Sequence, residues 1–296
     1  MIRTGQFADV GRDIRLHYAS TGEAGARPVM FLHGFPEYWG AWEELMPHFT
    51  DGWHAVAPDL RGFNLSSQPT EVKAYRTREI VADLEGLAHS LRWERLTLVV
   101  HDWGGAVGWH WAIANPQRIA QLVVLNSPHP VLFARALLND PGQRAASAYM
   151  NWLRAPGAEE ALARDGFHRL DQFFLGMQRS GCVWYTPERA ARYHDVWSRG
   201  LTGGLNYYRA SPLYPPTPDG SSPTLPRLDP AQFRISMPTL VVWGDADPAL
   251  RPSLLDGLDE LVDQLVIERL PRATHWLAHE EPRRIAERIQ AFCGPA

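Results

Sequence analysis

The chain has 296 residues, 45% hydrophobic and 21% charged, a balance that suits a folded globular protein and excludes disordered and collagen-like chains. Its 29 Lys+Arg against 33 Asp+Glu leave a formal charge of -4 without a polybasic run or acidic tail, which argues against nucleic acid or anionic membranes as partners. Two cysteines, Cys182 and Cys293, have neither the spacing nor the neighbours of a metal site, and they suit a reducing compartment.

The opening stretch, MIRTGQFADVGRDIRLHY, alternates polar and apolar residues and lacks the apolar core and cleavage pattern of a secretory leader. With no run of about 18 uncharged apolar residues to cross a bilayer, the expectation is a soluble, cytoplasmic protein with no membrane span. QFADV and IRLHYAS, on either side of Gly11-Arg12-Asp13, predict an antiparallel hairpin at a sheet edge. Short apolar runs that read as buried strands follow at 28–34, 53–59, 95–102, 120–126, 238–245 and 264–270, most of them separated by helix-length stretches. That alternation predicts an α/β fold with a mostly parallel central sheet and helices on both faces. Between 130 and 230 the strand-like runs vanish and Ala-, Leu- and Arg-rich helical stretches take over, ending in the Pro-rich SPLYPPTPDGSSPTLPRLDP. The expected organisation is therefore a core formed by 1–129 and 231–296, with a helical cap inserted at 130–230.

VVHDWGG at 99–105 places a polar dipeptide between a strand and a Gly-rich helix that stops at Pro116. Against the nucleophile elbow G-x-S-x-G, Asp102 fills the serine slot, Gly104 the last position, and Val100 stands where the first Gly would be. A carboxylate is already nucleophilic at neutral pH and can displace a leaving group from saturated carbon, giving an alkyl ester that water must then hydrolyse. As an isolated feature, Asp102 fits a helix N-cap equally well.

HGFPEYWGAW at 33–42 and HDWGGAVGW at 101–109 resemble the epoxide hydrolase branch of the α/β-hydrolase fold superfamily, and the similarity covers nearly the whole chain. The resemblance implies that Asp102 is the nucleophile, that the backbone N–H groups of Phe35 and Trp103 form an oxyanion hole, and that Pro36 follows a cis peptide bond. It selects His275 in LPRATHWLAHEEP as the base, ahead of His101, which should point the other way, and of His129 and His279. The family spacing G-x-x-D-P selects Asp247 over Asp245 in GDADPAL as the residue that orients His275. Two cap tyrosines protonate the epoxide oxygen in that family; TGGLNYYRAS implies Tyr208, with neighbouring Tyr207 to be ruled out, and AYMNWLRAPGAEEAL implies Tyr149. Asn64 stands where the family usually has Gly.

The reaction so implied converts a small apolar epoxide and water to a vicinal diol, without cofactor or metal, and leaves a homodimer open. The alternative is a haloalkane or haloacid dehalogenase with the same Asp nucleophile. Against it, Phe35 replaces the Asn or other halide donor, and Trp103, Gly104, Gly105 and Ala106 occupy positions where fluoroacetate dehalogenases carry arginines. A non-catalytic ligand binder on the same scaffold is the third reading. Trp39, Trp42, Trp152 and Trp184 are candidate walls of a hydrophobic tunnel.

Overall fold

A computed structural model describes residues 1–217 and 224–294; positions 218–223, in the middle of the Pro-rich stretch, and 295–296 lie outside the described residues. Among the described residues eight strands form one sheet: β1 (Arg3–Asp9), β2 (Arg15–Gly22), β3 (Arg27–Leu32), β4 (Trp53–Pro58), β5 (Leu96–His101), β6 (Ile119–Leu125), β7 (Thr239–Gly244) and β8 (Leu265–Leu270). They lie in the order β1-β2-β4-β3-β5-β6-β7-β8. β1 and β2 form the antiparallel edge hairpin, β2 runs antiparallel to β4, and every pair from β4 onward is parallel. Arg12 and Asp13 turn the hairpin at φ 56° and 59°.

Every residue of β4, β5 and β7 is buried, because helices cover both faces of the sheet and an alternating polar pattern would put polar groups into a core. The period-two geometry of a strand splits the buried side chains between the two layers. Met30, Leu32, Leu98 and Val100 join one core with Ile80 and Leu84 of α1 (Thr77–Ser90) and Val107 and Trp111 of α2 (Asp102–Ala114). Val29, Phe31 and Val99 join the other. β8 departs from the expectation of a buried strand: Val266 and Ile267 are exposed, because this last strand has a neighbour on one side only.

Between β6 and β7 the chain forms α3 (Pro130–Asn139), α4 (Pro141–Ala146), α5 (Tyr149–Arg154), α6 (Ala158–Leu175), α7 (Pro187–Ser198) and α8 (Thr202–Ala210). The chain closes with α9 (Leu277–Glu280) and α10 (Pro282–Cys293). α7 starts with Thr186 accepting from the Arg189 N–H and with Pro187 in the first turn, where the missing proline donor costs nothing. α6 is interrupted at Arg164–Phe167, where the backbone leaves helical angles before winding again. Among the described residues no helix is long and apolar enough to cross a membrane. Cys182 and Cys293 are free thiols.

Candidate active site

Asp102 occupies the turn from β5 into α2 at φ 50°, an angle uncommon for a residue with a Cβ. Two glycines make the tight turn feasible. A Cβ on Gly104 would come within 2.3 Å of the Leu32 carbonyl oxygen, and one on Gly34 within 2.2 Å of Asp102 Oδ1 itself. The Phe35 N–H donates to Asp102 Oδ1 at 2.8 Å, and the Ser127 hydroxyl donates to the Asp102 carbonyl oxygen at 2.8 Å. Trp103 follows in the first turn of α2, where backbone N–H groups have no intrahelical acceptor. The Phe35–Pro36 peptide bond is cis.

His275 lies in the loop after β8. Its Nδ1 is 2.7 Å from Asp247 Oδ2; a carboxylate there can only accept, so Nδ1 carries the proton and Nε2 is turned to Asp102 Oδ2 at 3.7 Å. Burial by itself would depress the imidazole, but Asp247, with further help from Asp102 and Glu37, overrides it and raises His275 to about 9. Asp247 stays below the usual carboxylate range despite its burial. His275, the Asn126 amide at 2.6 Å and the Leu250 N–H all favour its ionised form. Asp245, two residues earlier, instead pairs with Arg269 at 2.9 Å, outside the site.

Two cavities meet at Asp102, of about 510 Å³ and about 130 Å³, and both are bounded by Tyr149 and Tyr208. The two phenol rings meet edge to face with centroids 6.3 Å apart. Burial pushes both above their ordinary range and the nearby Asp102 charge adds to this, so both remain protonated donors across neutral pH. Tyr207 points elsewhere and donates to the Arg61 carbonyl oxygen at 2.9 Å. Of the four tryptophans expected along a tunnel, Trp152 alone lines the catalytic cavity. Trp42 is fully buried in the second core, Trp39 packs against both cores, and Trp184 stacks on His279 with ring centroids 4.0 Å apart. Packing in the cores and against His279 takes up the surface of these three.

The family model described as alpha/beta hydrolase fold matches residues 27–282. Epoxide hydrolase 3 of Xenopus tropicalis is 32% identical, the alignment covering 94% of this chain and 74% of that protein. Epoxide hydrolase A of Mycobacterium tuberculosis is 31% identical over 94% of each chain. The crystal structure of a Bacillus megaterium epoxide hydrolase in complex with an inhibitor superposes with a TM-score of 0.87 at 31% identity, covering 97% of this chain and 99% of that one. The chain belongs to the epoxide hydrolase branch of the α/β-hydrolase fold superfamily.

Behind His275, this α/β-hydrolase buries a polar cluster that sequence reading missed. Glu37 is 1% exposed; its Oε1 accepts from the Tyr193 hydroxyl at 2.9 Å and from His279 Nε2 at 2.7 Å, and its Oε2 lies 3.4 Å from His101 Nδ1. Burial would raise the Glu37 carboxyl, yet its histidine partners hold it far below the usual carboxylate range. His101 was expected to point away from the site. It does leave Asp102, but its Nε2 donates to the His275 carbonyl oxygen at 2.9 Å, so it braces the loop that carries His275. The signal available for Glu37 was its place in HGFPE; its partners are 156 and 242 positions away and no local pattern foretells them. His129 caps α3 and bonds the Phe233 carbonyl oxygen. Asn64 takes φ 46° where Gly is usual, a conformation Asn tolerates, and donates to Asp59 Oδ2 at 2.8 Å.

Asn126 ties the Asp247 loop to β7, its amide donating to Asp247 Oδ2 and its Oδ1 accepting from the Gly244 N–H, both at 2.6 Å. Asn126→Ala strands that buried N–H and is expected to lower unfolding stability by about 1–3 kcal/mol in urea titration. An unchanged midpoint and slope would contradict it.

Proposed function

We propose that the enzyme hydrolyses an epoxide to a vicinal diol through an alkyl ester of Asp102. The observation that carries this reading is a carboxylate that shares one cavity with two phenols in ring contact and with a carboxylate-paired imidazole. Asp102 Oδ2, the oxygen that lacks the Phe35 hydrogen bond, attacks an epoxide carbon while the ring C–O bond breaks. The departing oxygen takes a proton from the Tyr149–Tyr208 pair, leaving a tyrosinate. Halide departure would need no such proton, so the tyrosine pair favours the epoxide over the dehalogenase alternative.

In the second step, water gives a proton to His275 Nε2 as its oxygen bonds Asp102 Cγ. Charge that develops on Oδ1 falls to the Phe35 N–H already within hydrogen-bond reach and to the Trp103 N–H. Collapse breaks the Cγ–Oδ2 bond; the departing oxygen takes the proton from His275 and leaves as the diol, and the second proton of the water, released by the new Asp102 carboxyl group, returns to His275. His275 changes character along the way. While Asp102 is ionised, its charge helps hold the imidazole protonated; esterification removes that charge and lowers the His275 pKa, so the imidazolium gives its proton back to the tyrosinate and a neutral base is present when water must be activated.

The deciding test is a single turnover with excess enzyme in H2(18)O. The first diol carries no heavy oxygen and the label appears in Asp102 by peptide mass; label in the diol at the first turnover would refute the ester route. Tyr208→Phe is expected to slow ester formation by roughly 10²-fold, with Tyr149→Phe less severe because the other phenol remains. Rapid-quench measurement of the adduct checks this, and unchanged alkylation in the double Phe variant would exclude the pair as donors.

A further inference from the structure

The second half of α6 turns one face to the larger cavity. Arg169, Gln172 and Phe173 of α6 line it with the i, i+3, i+4 spacing of a single helical stripe, and Gly176 and Met177 just past the helix end continue the wall. Amphipathic packing would fill every such place with an apolar side chain. The inner part of the stripe conforms: Phe173 meets Phe35 at a ring distance of 6.4 Å, close to the nucleophile. At the other end, one helical turn away, stands an exposed arginine.

Among the described residues this guanidinium has no counter-ion. Arg179, Arg189, Arg192 and Arg209 of the same insertion each meet a carboxylate at 2.5 to 2.9 Å. Arg169, the cap arginine that lines the cavity, has no ion pair among the described residues and rests over the Trp152 ring at 5.2 Å. Asp171, its nearest acidic neighbour in sequence, is already taken by Tyr185 and His194. The cavity thus has a negative end at Asp102, an apolar middle of Phe35, Phe173 and Met177, and a positive end at Arg169 with the Gln172 amide beside it.

We infer that the substrate is an epoxide carrying a carboxylate at the far end of an apolar chain, with Arg169 as the residue that selects it. The inference rests on the epoxide hydrolase reading. A guanidinium fork matches a carboxylate's two oxygens, and the substrate charge then sits away from Asp102, which would repel it. The same polarity sets the direction of entry, epoxide first.

The test compares kcat/KM for medium-chain ω-epoxy carboxylic acids, the epoxide at the end opposite the carboxyl group, with their methyl esters. Wild type is expected to favour the acids by about threefold to fivefold, the range for a partly solvated ion pair, with the difference in KM and lost in high salt. In Arg169→Met the acid-to-ester ratio falls to about unity or below, and in Arg169→Glu it inverts. An identical ratio in wild type and Arg169→Met, or esters turned over with acids inert, overturns the inference and leaves epoxide hydrolysis standing. If no epoxide is opened, acid, ester or a simple aryl epoxide, both readings fall together.

Discussion

Replacing Asp102 with Ala is expected to abolish diol formation, with a loss of at least about 10⁴-fold in kcat, the scale seen when a covalent nucleophile is removed. The fold should survive. Asp102 is a turn residue at positive φ rather than a core residue, and the glycines and the Ser127 bond to its backbone carbonyl remain. The cut therefore falls on chemistry alone, and the variant still binds epoxide, as equilibrium binding with unopened substrate would report. Diol formed at even a hundredth of the wild-type rate would mean that water attacks the epoxide directly, and that Asp102 serves as something other than the nucleophile.

His275→Gln separates the two half-reactions. Alkylation needs the ionised carboxylate and the tyrosine donors, both of which remain, whereas ester hydrolysis loses its base. One equivalent of epoxide should be consumed in a burst, after which turnover stops and intact-mass analysis finds the protein heavier by the mass of one substrate. Steady turnover without adduct would place the base elsewhere.

The raised His275 value makes a second measurement available. Asp102→Asn resembles the ester in charge, so the imidazole should titrate below the value of about 9 reached with Asp102 ionised, and nitrogen NMR of the ring can follow it. No change would mean that Asp247 and Glu37 hold the proton unaided. The sign for stability follows from the same shift. A group raised in the folded state contributes most below its unfolded pKa of about 6.5, so this contribution is lost as pH climbs from there through about 9. In His275→Gln that component of the stability profile is gone.

The strand pattern was legible because the sheet is covered on both faces, and continuous apolar runs such as LTLVV have no other stable disposition. The Asp102 turn could be read for a similar reason: strand, tight turn and helix are contiguous, and the glycines that permit the close approach sit within a few residues of it. Asp247 and His275 are carried on loops after β7 and β8, so the chain order of the superfamily already aligned them with Asp102. The choice of Tyr208 over Tyr207 rested on resemblance alone. Adjacent helical residues face about 100° apart, and the packing of α8 puts Tyr208 over Asp102 and Tyr207 against the Arg61 backbone.

Sequence alone thus determined the local and the periodic: an α/β sheet, a helical stretch between its sixth and seventh strands, and a carboxylate where a serine commonly stands. Tertiary structure decided what depends on partners far along the chain. Glu37 gathers His101, Tyr193 and His279, Trp184 stacks on a buried histidine instead of lining a tunnel, and β8 is left half-exposed by its place at the sheet edge. Arg169 belongs to this second group. An arginine in the helical stretch after β6 carries no message until the fold shows which cavity that face lines and that, among the described residues, no carboxylate pairs with it. Charge complementarity is a property of a closed surface, and Asp102 carries its meaning in the turn that holds it only for the nucleophile; the leaving group and substrate are read from the cavity around it.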